Sequence, residues 1–280
     1  MSARSAILGA LLLGGVLSIA PLAPSALAQG MPGMGEGKQP LEIDADQAIE
    51  WHQDVRAYVA RGNASAKQGG STVFADVLTA YYRQVPGQGN VVFQIVADGN
   101  ARIVSPSQEV FGERAIYDVD KQVAVVTGRN LKLVTPEHVV TARDSLEYYE
   151  ARDLAVARGD AVAVRGQDRI TADVLIGQFK DGPDGASRME RLDGSGNVVV
   201  TTPTDVARAE KMVYSIPDDT AVLIGNVKIT RGQNQLNGQA AEMNMKTRIN
   251  RVISGEQAGG RVKGLLIPGQ TGPDPKAPSS

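Results

Sequence analysis

Two repeated pairs of carboxylates and two imidazoles are where this sequence could do chemistry. Asp76 and Asp173 recur in the same local setting, as do Glu113 and Glu210. Two carboxyl groups facing one another across a groove can hydrolyse a glycosidic bond. His52 and His138 are the only imidazoles, and neither stands in a metal-ligand spacing. The chain has no H-E-x-x-H, no G-x-S-x-G, no Walker A loop and no calcium loop. With no cysteine in 280 residues, disulfides, thiolate metal sites, cysteine nucleophiles and the lipid-modified cysteine of a bacterial lipoprotein are excluded. Basic and acidic residues nearly balance at 29 against 31, which leaves no global basic field for nucleic acid. No catalytic residue, metal or cofactor is therefore expected. The paired acids read as outward residues flanking the Ala and Tyr of a repeat, because they recur with the fold and not once at a site.

The elements that would position these residues are short strands. The first 28 residues read as a signal peptide: Arg4 gives a positive start, Ile7 to Ile19 is apolar, and Ala26-Leu27-Ala28 offers a cleavage site before Gln29. Residues 29–40 are Gly/Pro-rich and read as a flexible arm, and 268–280 as a disordered tail. Between them, 41–267 shows almost no helical periodicity and many short alternating runs broken by Gly-Asn, Gly-Asp and Pro. The expectation is all-β. One short helical turn over Asp44 to Trp51 is the main exception, with strand as its alternative.

A Gly followed by a polar residue recurs at Gly62-Asn63, Gly99-Asn100, Gly128-Arg129, Gly159-Asp160, Gly196-Asn197 and Gly225-Asn226. The first three return as the last three at an offset of 97 residues, and Ala75-Asp76-Val77-Leu78 returns as Ala172-Asp173-Val174-Leu175 at the same offset. The folded region thus reads as duplicated blocks, about 55–150 and 152–247. After Gly128 the alignment slips to 96, matching Leu131 with Val227. Units of this length stack because none buries its apolar face alone.

Alternation then assigns the inward side chains. Positions two and four on either side of each repeat Gly are apolar: Tyr58, Ala60, Ala64 and Ala66 around Gly62, Ile95, Ala97, Ala101 and Ile103 around Gly99, and Ala155, Ala157, Ala161 and Ala163 around Gly159. Around Gly225 they are Ala221, Leu223, Val227 and Ile229. Intervening positions such as Arg61, Arg158 and Lys228 are polar, so one face is dry and the other wet. So many Ala, with four Phe and one Trp in the chain, leave two readings of the interior: two sheets in close approach, or a space for an apolar guest.

The opening Gln39-Pro40-Leu41-Glu42-Ile43-Asp44-Ala45-Asp46, the recurring Gly-Asn units, the Tyr117/Tyr214 motif and the terminal Gly260-Arg261-Val262-Lys263-Gly264-Leu265-Leu266-Ile267-Pro268 resemble the OstA-like family of lipopolysaccharide transport proteins over about 39–268, most of all its soluble periplasmic members. Val85 to Asn90 and Asp181 to Arg188 are longer than in the shorter members, which leaves strand pairing open there. The resemblance implies a curved open β-jellyroll of stacked short antiparallel strands with internal duplication. It also implies an apolar groove shielding lipopolysaccharide acyl chains between an inner-membrane exporter component and an outer-membrane translocon. On that reading Leu41, Ile43, Ala60, Ala64, Ile95, Ile103, Tyr117, Val119, Val126, Leu223, Val227 and Ile229 would touch lipid. The unprotected first strand, Leu41 to Ala45, and last strand, Arg261 to Ile267, would pair head to tail with the next partner. Alternatives are a membrane-anchored partner of the same transport chain and a polysaccharide-active β-solenoid enzyme.

Overall fold

The computed structural model describes residues 41–183, 187–247, 249–254 and 262–266. The signal peptide, the arm and the tail read from the sequence lie outside the described residues. Twenty strands join by antiparallel pairing into one continuous sheet, with a single three-residue 3-10 turn, Glu150–Arg152, among the described residues. The segment read as either a helical turn or a strand is strand: Glu42–Asp44 and Ala48–His52 both pair with Ala57–Gln68.

Each strand, or pair of short strands in line, bends once and contributes to two half-sheets. One half holds Arg102–Ser105, Gln108–Phe111, Leu131–Val134 and His138–Ala142, and the other holds Gly89–Asp98, Arg114–Asp118, Val123–Thr127 and Ser145–Tyr149. Longer strands such as Leu154–Arg165, Asp168–Asp181, Ser187–Thr201 and Thr220–Arg231 run through both. Successive strands are neighbours, so the sheet grows as a meander, folded lengthwise like a trough.

The repeat Gly is the cause of the fold line. Gly99 and Asn100 have φ of 80° and 48°, and Gly196 and Asn197 have 74° and 48°. Two consecutive left-handed residues turn a strand sharply, and Gly followed by Asn is the cheapest pair to hold there. The pairing register shifts at these points, as between Ser195 and Val198 and between Ile224 and Val227. The acids lock the bend. Asn100 donates to both Asp76 carboxylate oxygens, at 3.2 and 3.0 Å, and Asn197 to both of Asp173, at 3.1 Å each. A Cβ at Gly99 or Gly196 would overlap those same carboxylates. Glu113 plays this part at Gly128, where Arg129 replaces Asn as donor at 2.5 Å, and that contact holds the Glu113 carboxyl below its ordinary value. There the left-handed residue after Gly128 is Asn130, not Arg129. The corner holds one extra residue, and this is why the internal alignment slips from 97 to 96.

The two stretches in which the sequence left strand pairing open are extended hairpins: Val85 pairs with Gly89 and Asp181 with Ser187. A register irregularity at Tyr81/Tyr82 and at Gln178/Phe179 accommodates the extension on each.

Candidate functional site

Inside the trough the side chains form rows across neighbouring strands. Nearest the fold line run Ala60, Leu78, Ala97, Ala115, Val126 and Leu146 on one half-sheet, each the register partner of the next. The opposing half-sheet has a corresponding row of Ile43, Ala66, Val73, Ile103, Val110 and Leu133. Nearly all of these belong to one apolar cluster shared by the two halves. At the hairpin ends of this second half-sheet the inward row becomes polar: Ser105 faces Gln108, His138 faces Arg165, and Arg165 faces Asp168. The trough is apolar at its floor and polar along one lip.

Its filling differs along the length. In the middle, Val110, Leu133, Val140, Ala163 and Ile170 of one half-sheet face Tyr148, Ala155, Leu175, Gly177, Phe179 and Leu192 of the other across an open apolar cavity of about 190 Å³. Small side chains on both walls leave that gap. Toward the N-terminal end a smaller cavity of about 40 Å³ lies among Val73, Ile95, Ala97, Ile103, Ala115 and Tyr117. In the C-terminal third Val200, Ala207 and Leu223 are all 0% exposed, and Met212, Val227 and Met243 are buried beside them. That part is a filled core.

Side chains cross the mouth where the filled part begins. Arg165, at a hairpin end of one half-sheet, donates from Nη2 to the Tyr214 hydroxyl at 3.1 Å and to Asp219 Oδ1 at 3.4 Å on the other. Tyr214 in turn donates to Asp219. Burial, followed by this bond to Asp219, pushes the Tyr214 phenol up to about 12. Burial and the Arg165 charge together hold the His138 imidazole below its ordinary value. Further along, Arg231 grips Asp205 with two nitrogens at 2.7 and 2.8 Å, and Asp205 also bonds Asn250 of the facing half-sheet. Burial raises the Asp205 carboxyl, but the bonds from Arg231 and Thr204 outweigh it and leave the group below its ordinary value.

The residues singled out from the sequence divide among these regions. Ile95, Ile103 and Tyr117 line the smaller cavity. Ala60, Ala64 and Val126 are buried near the fold line, and Ile43 packs on the same cluster. Leu223, Val227 and Ile229 sit in the filled third. Leu41 is half-buried at the first edge, and Val119 occupies the turn after Arg114–Asp118, its amide bonded to Phe93, lining neither cavity. None of the twelve lines the 190 Å³ cavity. Ala155 and Ala163 do, and their place in the alternation around Gly159 was the available signal. Leu133, Tyr148, Phe179 and Met189 lie farther from any repeat Gly, where that counting rule had not been carried.

Among the described residues the strands at the two ends of the trough pair on one side only and carry exposed apolar side chains. Ile49, Trp51 and Val55 are exposed at the first edge, and Ile253, Leu265 and Leu266 at the last. Trp51 stacks on Tyr58 at 5.9 Å between ring centres and donates to the Tyr82 hydroxyl at 2.7 Å. Residues 261 and 267, the ends of the last strand as read from the sequence, lie outside the described residues; Lys263–Leu265 pairs with Gln235–Asn237.

A family model described as LptA/(LptD N-terminal domain) LPS transport protein matches the chain twice, over residues 42–144 and 140–249. The two matches correspond to the two turns of the duplication. A solved structure of LptH, the LptA-homologous periplasmic component of the lipopolysaccharide transport device of Pseudomonas aeruginosa, is 22% identical. That likeness covers 47% of this chain and 95% of the other at a TM-score of 0.40, too low to carry an argument about the trough. No curated protein matches.

Proposed function

From the premise that this chain belongs to the LptA/(LptD N-terminal domain) family of LPS transport proteins, we propose that it is a periplasmic bridge component that carries lipopolysaccharide from the inner to the outer membrane. It holds the acyl chains in the trough. The observation that carries this reading is the open middle, where two walls of small and aromatic side chains face an unfilled apolar gap. Each methylene moved from water into such a gap is stabilised by about 0.8 kcal/mol, so a carrier of several acyl chains needs no chemistry, only a continuous dry surface. The place of the repeated acids supports a carrier over a glycosidase, since Asp76 and Asp173 are each engaged by the Asn of a strand corner.

The exposed apolar side chains at both edges support assembly by strand addition, the last strand of one component pairing with the first strand of the next toward exporter and translocon. A second copy of this chain fits the same edges. The test of lipid carriage is Ile103→Asp, which places a carboxylate inside the trough. Lipopolysaccharide captured by the exported protein should fall while the protein remains folded; undiminished capture by folded Ile103→Asp protein would refute the reading. Truncation after Gly260 tests the assembly separately. It should leave lipid capture intact and abolish binding to the outer-membrane partner.

A further inference from the structure

Arg165 stands apart from Arg231, whose carboxylate partner Asp205 precedes Val206, the strand neighbour of Thr230 on the same half-sheet. Arg231 makes a two-nitrogen grip on a carboxylate that is 3% exposed, whereas Arg165 reaches both its partners with one nitrogen, Tyr214 at 3.1 Å and Asp219 only at 3.4 Å, and its side chain is 39% exposed. Among the described residues its other guanidinium nitrogens donate no hydrogen bond, and the guanidinium carbon stands 6.0 Å from the centre of the Tyr214 ring. It is also, among the described residues, the one Arg or Lys on the wall of the 190 Å³ cavity, and it sits where the open middle gives way to the filled third. A guanidinium with an open fork at the lip of an apolar cavity matches an amphiphile whose head is a phosphomonoester and whose tail is a hydrocarbon. The phosphate offers a two-nitrogen grip that Asp219 does not.

We infer that Arg165 is the headgroup-specificity residue of the trough and its latch: it takes the phosphate of a phosphorylated amphiphile in exchange for Tyr214 and Asp219, and the exchange frees the mouth over the filled third. The acids around it define the competition. Asp219 accepts from the guanidinium at 3.4 Å, Asp168 is the register partner of Arg165, and Glu137 and His138 lie on the same cavity wall, so the phosphate displaces a single-nitrogen contact and not a two-nitrogen grip. The inference rests on the trough holding the hydrocarbon, and its test separates the two claims.

The chain contains no cysteine, so Gln167→Cys and Asp218→Cys place one spin label on each side of the mouth in the otherwise complete exported protein. Binding and label separation are measured with a phosphorylated single-chain amphiphile, its hydroxyl-headed analogue, and inorganic phosphate alone. The phosphorylated amphiphile should bind roughly tenfold more tightly than the analogue, the scale of one charge-assisted contact, and it alone should widen the label separation. Arg165→Gln should abolish the preference while still binding the neutral analogue. Equal affinity for the two amphiphiles, or a preference that survives in Arg165→Gln, would overturn the latch and leave the trough reading standing. Widening by inorganic phosphate alone would overturn the assignment to an amphiphile. Failure of both amphiphiles to bind would overturn the latch and the trough reading together.

Discussion

The middle of the trough and its C-terminal third are built by the same rule and end in opposite states. Both alternate inward apolar with outward polar residues, and both are bent by Gly and a left-handed neighbour, at Gly159-Asp160 in one and Gly225-Asn226 in the other. In the middle, Ala155, Ala163 and Gly177 are too short to meet across the gap. In the C-terminal third, Met212, Leu223 and Met243 fill it, and Arg231–Asp205 seals the lip. Side-chain volume and lip chemistry, not backbone topology, therefore decide where the trough is open and where it is a filled core.

The sharpest break in that comparison is a charge placed in each part. Leu223→Asp should cost several kcal/mol and leave no cooperative unfolding transition, because the carboxylate has neither water nor a partner. Val140→Asp, on the wall of the open part, should leave the melting temperature nearly unchanged and remove lipid capture. Circular dichroism melts of the two variants, beside lipid capture, check both; equal destabilisation would show that the two parts are packed alike.

Asp205→Asn weakens the seal and should cost about 1–3 kcal/mol. Its native pKa lies below the unfolded value of about 3.9, so the carboxylate's contribution is fully present above that value and is lost as pH falls through the lower folded pKa. Urea unfolding from pH 6 down to pH 3 should show the wild type converging on Asp205→Asn only at the acid end. A constant gap between them would remove Asp205 from the seal.

Gly196→Ala tests the fold line common to both parts. The methyl group would meet the Asp173 carboxylate at a φ of +74°, and the expected cost is about 1–3 kcal/mol. Gly166→Ala, at φ +58° with open space around it, should cost less. Denaturation midpoints that rank the other way would mean that backbone conformation alone, and not the Asp–Gly contact, governs the corner. The smallest effect belongs to Ala163→Leu, which adds volume to an existing gap. Stability should change by less than about 1.5 kcal/mol, while the amount of lipid carried falls.

The all-β class, the inward rows and the duplication were legible because Gly-Asn pairs and period-two alternation are local signals. The acids' partners were not, since Asp76 and Asn100 lie 24 residues apart in sequence and meet only when neighbouring strands pair. Nor was the open cavity, whose walls come from facing half-sheets. Alternation tells which way Tyr148 and Val140 point, but the distance across to the other wall depends on what every neighbouring side chain leaves unfilled. Arg165 and Tyr214, 49 residues apart, are hidden for the same reason.

Val139 and Val140 are adjacent in one strand and face opposite sides, with only Val140 on the wall of the open cavity. A photoactivatable side chain placed at each in turn, in cells exporting the full chain, tests the carrier account most directly. Illumination should yield an adduct with lipopolysaccharide from position 140 and none from 139. Adducts of equal yield from both positions, or from 139 alone, would contradict the account.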